Sequence, residues 1–461
     1  MTRARNEALV ALLREAGWSQ PQAAAAVARV AAESGVRELE AISRSHIAMW
    51  VQGTQPSGQA PHILRETLSR RLGRHLTLAD LGLEGEATSQ TDSCSDWSVD
   101  PLTMLAELGS DDLDMHRRKL LATATYSAAG LALPTASWWA AAPAAAAKRP
   151  AVSPRPVTQA DIDDVRGLTT FYSARDQQRG GASGRSALAG HLRDEAVPLL
   201  GSRFRTEQLR RDTYSAVAEM TYLAGWMAFD ASEHRTAQRY LTLAARIAAE
   251  AGDGPLGGHI LRALAHQAVD LGHPRRALAL ADASMSRDRY GQASPREKAL
   301  LAIVHARALA ADGDHPATLA AISRAERDLA RADNNEAPGR VGFFQEASLA
   351  HETACALRDL GQPLDAEIHF KRSVATRRQQ YARTHSVTLG YLGAVQVQQG
   401  HVDEACATWS RALDAMTGVQ SGRARDVIVR MRSDLSPVRG RGGRHIAELD
   451  RRAREMLRAI S

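Results

Sequence analysis

Aromatic residues are scarce in this sequence, at 5% of its 461 residues, while alanine, leucine and arginine are abundant. Sheets are built largely from aromatic and β-branched residues, whereas small alanine faces let helices pack closely together. The composition therefore argues against a sheet protein and predicts an all-α fold. At this length we expect about two to four domains rather than a single core.

Cysteine is also rare, since Cys94, Cys355 and Cys406 are widely separated in the chain. A zinc or redox site needs closely spaced cysteines, and a secreted disulfide framework needs more of them. The first residues are polar and charged and include no apolar secretory run. We therefore expect a protein of the reducing cytoplasm without a metal site.

Signatures of catalysis are missing from the sequence too. It has no phosphate-binding loop and no GxGxxG, HExxH or GxSxG pattern, and its 16 histidines are dispersed without ligand spacing. Asp161, Asp163 and Asp164 open a predicted helix, where acidic residues interact favourably with the helix dipole. We expect neither an enzyme nor a bound cofactor.

Four zones follow one another along the chain. Residues 1–84 alternate short helical patterns with turn signals, and residues 85–115 hold eight acidic residues without any lysine or arginine. The second zone is predicted to be an acidic linker, solvated in its first part. Residues 116–157 are predicted to form an apolar arm or linker, and residues 158–461 are typical of consecutive helices.

The apolar arm begins near Arg117-Arg118 and looks like a twin-arginine export signal, but more than a hundred residues precede it. Because Pro134 and Pro143 interrupt it and hydroxyl side chains dilute it, we expect no stable membrane insertion. A buried helix with an extended segment is the simpler interpretation. A membrane-associated sensor that uses residues 120–147 is an alternative.

An internal repeat occupies the last zone. Pairs of small residues recur at a spacing of twelve positions, namely Gly225 with Ala237, Ala265 with Ala277, Ala306 with Thr318, Ala354 with Ala366, and Gly393 with Ala405. Small residues at facing positions let the two helices of a hairpin cross closely, so each pair predicts one helical hairpin. An array of such hairpins curves into a concave surface suited to a peptide or protein ligand.

The last of these units has the clearest motif, formed by Leu392, Gly393, Gly400, Ala405, Trp409 and Ala412. It resembles the tetratricopeptide repeat (TPR), which implies a C-terminal α-solenoid of this type, although Gln396 stands where the repeat has a tyrosine. The repeat period of 39 to 48 residues is longer than usual, so another helical solenoid is the alternative. A basic capping helix should follow, with an apolar stripe of Ile446, Leu449, Ala453, Leu457 and Ile460.

The first zone contains a pattern of short helices joined by turns. Ser19 is placed to cap a helix that begins at Gln20-Pro21, and a shorter helix should begin after Ser43 and end at Gly53. One face of this shorter helix is apolar, with Ile47, Trp50 and Val51 at helical spacing. The other faces of this helix carry Arg44, Ser45, His46 and Met49.

This pattern resembles the helix-turn-helix of the Cro and phage-repressor class, in which Ser19-Gln20, Ile47, Trp50, Gly53 and Pro56 match the motif. The resemblance implies that Gln20 contacts phosphate on double-stranded DNA. It also implies that the start of the recognition helix reaches the major groove, with Ser43, Arg44, Ser45 and His46. Gln20 and Trp50 are 30 positions apart, which is more than this class usually has, because of extra residues at 32–41.

A further helical pattern follows, with Ile63, Leu64, Leu68 and Leu72 on its apolar face. Arginines occupy the remaining directions, at Arg65, Arg70, Arg71 and Arg74. We expect Arg70, Arg71 and Arg74 to support DNA binding through phosphate contacts. An ordinary solvated helix face explains these arginines as well.

Over most of its length the chain resembles actinomycete regulators that join a helix-turn-helix to tetratricopeptide repeats (NsdA-like). The likeness is carried by three segments, Arg44-Ser-His-Ile-Ala-Met-Trp-Val, Leu68-Ser-Arg-Arg-Leu-Gly-Arg and Arg117-Arg-Lys-Leu-Leu. It implies a nucleoid-associated transcription regulator, often a repressor, of development or antibiotic production. We expect a homodimer held through the repeats, because two half-sites bind DNA better than one. The alternative is a scaffold of repeats that does not bind DNA.

Candidate ligand-binding residues in the repeat zone form two groups. Asn334 and Asn335 interrupt the widest interval between repeats and could hold a peptide backbone, although capping of a loop explains them as well. Arg377, Arg378 and His385 could meet an acidic ligand, and a solvated helix end is the alternative.

Overall fold

A computed structural model describes residues 5–33, 36–72, 76–83, 100–117, 126–127, 133–153, 155–333, 338–438 and 443–460. Its regular elements are helices, and no strand occurs among these residues apart from one isolated bridge between Pro156 and Arg203. The predicted all-α fold is therefore confirmed. The chain divides into two compact units, one of residues 1–100 and 114–135 and one of residues 101–113 and 136–461.

The first unit is built from short helices around one apolar core. The helices are α1 (Glu7–Glu15), α2 (Gln20–Glu33), α3 (Arg44–Val51) and α4 (Ala60–Leu72), with single 3-10 turns at Arg37–Leu39 and Ala79–Leu81. The core includes Leu9, Val27, Ile47 and Ile63, all fully buried. The extra residues between Gln20 and Trp50 lengthen the connection from α2 to α3, where the first 3-10 turn lies.

The second unit begins with helices that flank its repeats. These are α5 (Pro101–Arg117), α6 (Ala136–Ala147), α7 (Gln159–Arg179), α8 (Arg185–His191) and α9 (Val197–Leu200). Five helical hairpins follow: α10 and α11 (Glu207–Asp230, His234–Ala251), α12 and α13 (Gly254–Asp270, Pro274–Ser284), α15 and α16 (Pro295–Asp312, His315–Ala330), α17 and α18 (Glu346–Asp359, Pro363–Thr376), and α19 and α20 (Ala382–Gln398, Val402–Ala415). A single turn, α14 (Arg287–Tyr290), precedes α15, and α21 (Gly422–Leu435) and α22 (Gly443–Ile460) follow the array.

The paired small residues of the sequence mark these hairpins, as predicted. All ten of them are buried. At Gly225 an added Cβ would lie 2.9 Å from Cγ of Leu241 on the facing helix, and at Gly393 it would collide with the indole of Trp409. Close helix crossing therefore explains why the positions are small, and the prediction of an α-repeat array is confirmed.

The Gly225→Ala substitution should accordingly destabilise the protein, whereas Gly167→Ala should stabilise it. Overpacking costs about 1–3 kcal/mol, which exceeds the gain of about 1 kcal/mol in helix propensity. Gly167 lies in α7, and a Cβ added there would have no atom of a neighbouring residue within 4 Å, so only the propensity gain applies. Urea unfolding of both variants provides the measurement, and two shifts of the same sign would contradict the explanation.

The structure assigns parts of the predicted acidic linker (85–115) and apolar arm (116–157) to the second unit. Residues 101–113 lie in α5 and belong to the second unit, because Met104, Leu105 and Leu108 form an apolar face that is buried. Residues 136–157 belong to the same unit and contribute α6, which packs on α11. After α6, Arg149 donates two hydrogen bonds to Glu250, each at 3.0 Å.

The capping helix predicted at the end of the array is α22. Ile446, Leu449 and Ala453 are buried, and Leu457 packs against the same core. No helix in the described ranges is long and apolar enough to cross a membrane, α6 included.

The repeat array closes on itself, which the sequence did not predict. The C-terminal end of α7 meets the segment before α21, where the amide of Gln420 donates to the carbonyl of Arg179 at 2.6 Å. From α19, Arg383 forms ion pairs with Asp176 of α7 at 3.1 Å and with Asp230 of α10 at 3.0 Å. These contacts join the first and last parts of the array into a ring, and the concave side of the array is the inner side of this ring.

Candidate functional site

The first candidate site is the exposed N-terminal turn of α3. Ser43, Arg44, Ser45 and His46 are all exposed, while Ile47, Trp50 and Val51 anchor the helix in the core. This burial pattern agrees with the one expected from the sequence. The anchors fix the direction of the helix, so its first turn presents a rigid polar surface.

The hydrogen bonds of this turn fix the tautomer of the neutral His46 ring. The backbone N–H of Ser43 donates to Nδ1 of His46 at 3.2 Å, which makes Nδ1 an acceptor. The hydroxyl of Ser43 lies 2.9 Å from the same nitrogen and 2.7 Å from the hydroxyl of Ser45. A neutral ring therefore carries its proton on Nε2, directed away from these bonds. The turn thus offers the donors of Arg44 and His46, which are two positions apart in sequence.

Gln20 lies at the start of α2 and is half-buried. The preceding Ser19 donates from its backbone and from its hydroxyl to the side-chain oxygen of Gln22, each at 2.9 Å. Gln22 thus stabilises the start of α2. The contact of Gln20 with phosphate stays a prediction.

The arginines of α4 differ from the expected exposed basic face. Arg65 is buried, and Arg70 pairs with buried Glu66 at 2.8 Å and is itself only 17% exposed. Arg71 is exposed as a residue, and its Nε donates to the carbonyl of Ala16 at 2.9 Å. Arg74 lies outside the described residues. Sequence periodicity did not predict the burial of Arg65, because polar faces of α4 are buried as well as its apolar face.

The second candidate site is a cavity of about 550 Å³ inside the ring. It is lined by α7, by the first helices of the hairpins, by residues 339–345, and by the segment that enters α19. Its apolar wall includes the aromatic rings of Tyr222, Trp226, Phe343 and Phe344. Its charged wall contains six arginines, Arg262, Arg340, Arg377, Arg378, Arg383 and Arg423, and three acidic residues, Asp176, Glu219 and Glu352.

Three of these arginines have carboxylate partners. Arg340 pairs with Glu297 at 2.7 Å, Arg383 with Asp176 and Asp230, and Arg423 approaches Asp270 to 3.6 Å. Burial raises the pKa of Asp176 to about 7, against the opposing effect of Arg383. The carboxyl group at this end of the cavity therefore titrates near neutral pH.

A charged layer borders the cavity around Arg307 of α15. Its guanidinium donates to Asp270 at 2.9 Å and to Glu352 at 3.1 Å. Burial opposes ionisation of Glu352, but His266 and Arg307 lower its pKa to about 2. Burial lowers the pKa of His351 to about 3 and also lowers that of His266. Both imidazoles are therefore neutral near pH 7, and Glu352 is ionised and already compensated.

The ligand-binding residues predicted from the sequence differ in where the structure places them. Arg377 and Arg378 line the cavity. His385 is half-buried and lies outside the lining, and burial lowers its pKa. Asn334 and Asn335 lie outside the described residues. The sequence did not identify Arg262 or the aromatic wall, although the repeat alignment contained a signal for Arg262, Tyr222 and Trp226.

Comparison with known proteins bears on the first unit. Residues 9–84 match the family described as the SP15 N-terminal domain. This range runs from α1 to the residues that follow the second 3-10 turn and includes α3. Among curated proteins, none matches the chain.

Proposed function

We propose that this chain is a DNA-binding transcription regulator in which α3 reads double-stranded DNA and the ring receives a regulatory ligand. The observation that carries the proposal is the exposed turn of Ser43 to His46, held over a core formed by the opposite face of the same helix. A helix anchored in this way can lie in the major groove with its N-terminal residues at the base edges. The likeness to helix-turn-helix regulators supports the same assignment, with a homodimer as the acting form.

The side chains of this turn suit purine recognition. The guanidinium of Arg44 carries several N–H donors, and the imidazole of His46 presents Nε2–H because its Nδ1 accepts from Ser43. The major-groove edge of guanine offers two acceptors, N7 and O6, to such donors. We therefore expect recognition sites that contain guanine opposite α3.

The test begins with selection of bound sequences from a random duplex library by the full-length protein. Fluorescence anisotropy then compares the selected duplex with the native protein and with Arg44→Ala and His46→Ala. Loss of one base contact costs about 1–3 kcal/mol, so we expect binding to weaken about 5- to 150-fold and sequence preference to relax at one position.

Arg14→Ala is the matched control, because Arg14 is an exposed arginine at the end of α1 in the same unit. It should change affinity by less than about twofold, since a single distant charge contributes weakly at physiological salt. A selected site with two-fold symmetry supports the homodimer. Failure to select any sequence would instead favour the scaffold without DNA binding, and equal affinity of all variants would contradict the role of α3.

A further inference from the structure

Two guanidinium groups that line the ring cavity have no carboxylate partner among the residues that the structure describes. Arg262 of α12 is only 2% exposed, and Arg377 after α18 is half-buried. Within the described part of the chain, neither forms an ion pair, and Nε of each has no hydrogen-bond partner. Burial of a charge without compensation costs several kcal/mol, so this arrangement needs a reason.

The contacts of Arg262 orient its guanidinium without neutralising it. One terminal nitrogen donates to the hydroxyl of Tyr222 at 2.6 Å, and the group stacks over Trp226 at 5.3 Å from the ring centre. These neutral partners hold the group in place and leave its positive charge available. The arrangement differs from that of Arg340, which is bonded to Glu297 in the same cavity.

Arg377 is held in the same way by neutral oxygen atoms. It donates to the carbonyl of Ala347 and to the hydroxyl of Ser373, each at 2.9 Å. Burial lowers the pKa of Arg377 to about 10, and Glu352, which opposes this shift, is already bonded to Arg307. Arg378 adds an exposed guanidinium to the same lining.

We infer that the ring cavity binds a small organic anion, with a carboxylate or phosphate group held by Arg262 and Arg377 and an aromatic or apolar body against Trp226, Phe343 and Phe344. Planar guanidinium groups bind both kinds of anion through paired hydrogen bonds. A cavity of about 550 Å³ has the size of small-molecule sites, and the Arg383–Asp176 pair that joins the ends of the array is part of its lining. This inference rests on the proposed function, in which the ring is the sensing part.

The test is isothermal titration calorimetry of the full-length protein with three probes that share one aromatic body. These are naphthalene carboxylate, naphthyl phosphate and the neutral naphthalene carboxamide. At least one anion should bind, about ten- to a hundredfold more tightly than the amide, because charge-assisted hydrogen bonds strengthen binding by this amount. The anion that binds more tightly shows whether the natural ligand carries a carboxylate or a phosphate group.

Variants connect the binding to the two arginines. Arg262→Gln and Arg377→Gln should each weaken binding of the anion about tenfold or more and leave binding of the amide unchanged. Arg372→Gln is the control, because Arg372 is 55% exposed and pairs with Glu346 away from the cavity lining. Arg262→Lys keeps the charge and should retain part of the anion preference if the glutamine variant does not fold.

Three outcomes would overturn the inference: equal binding of anions and amide, no binding of either anion at millimolar concentration, or unchanged anion binding in both glutamine variants. The calorimetry contains no DNA. Anion binding without selection of a DNA sequence would therefore refute only the proposed regulator, and DNA selection without anion binding would refute only this inference.

Discussion

Replacement of Arg383 by methionine should lower the free energy of unfolding by about 3–5 kcal/mol, which is typical when one partner of a buried ion pair is removed. The guanidinium is 4% exposed and compensates Asp176 and Asp230, which are buried almost completely. Methionine fills similar space but leaves two carboxylates without a cation. Urea unfolding of the full-length chain, followed by circular dichroism, measures the loss.

The same variant should have a characteristic pH dependence. Burial raises the pKa of Asp176 to about 7 in the folded protein, compared with 3.8 for the ordinary group, and Arg383 opposes this rise. A folded pKa above the unfolded one means that stability falls as pH increases through the interval between them. Without Arg383 the folded pKa should rise further, and the interval should extend above pH 7. The free energy of unfolding that Arg383→Met loses relative to the native protein should therefore be smaller at pH 5 than at pH 8.

Two further variants separate charge from packing. Addition of Asp176→Asn to Arg383→Met should recover part of the lost stability at pH 8, because one uncompensated carboxylate is gone. Arg372→Met removes an exposed ion pair and should cost less than about 1 kcal/mol. A deficit that is equal at both pH values and is not relieved by Asp176→Asn would point to lost packing instead.

The hairpins of the ring could be predicted because their cause is local. A small residue on each helix is enough to mark a close crossing, as Gly225 and Gly393 show by their lack of room for a Cβ. The same alignment also marks several residues that line the cavity. Positions three before the first small residue of a pair hold Tyr222, Arg262 and His351, and positions one after it hold Trp226 and His266, all of which line the cavity.

Closure of the array could not be predicted in this way. Arg383 contacts Asp176 across 207 positions and Asp230 across 153, and no periodic pattern connects residues so far apart. Composition was misleading for α5 as well, because acidic residues outnumber the apolar face of Met104, Leu105 and Leu108. On α3 the apolar period was strong enough to predict which side chains are exposed, but an exposed residue can be a DNA contact or a solvated side chain, and only a binding measurement separates them.

Trp409→Ala should destabilise the last hairpin by about 3–5 kcal/mol, as expected for deletion of a large buried aromatic side chain. The indole is 1% exposed, fills the space left by Gly393, and donates from Nε1 to the carbonyl of Gly390 at 3.0 Å. Trp409→Phe keeps part of the ring contact and loses the N–H donor, so its cost should be about 1–2 kcal/mol.

The location of the effect distinguishes a ring from an open array. In an open solenoid each repeat contacts only its neighbours, so a defect at the last hairpin would leave the first helices protected. In this chain α19 also contacts α7 and α10 through Arg383. Hydrogen exchange should therefore increase in residues 159–179 and 207–230 of Trp409→Ala as well as in α19 and α20. Faster exchange restricted to α19–α22 would show that the ends of the array are not energetically coupled, since a closed ring must transmit the loss of its last hairpin to the helices against which that hairpin closes.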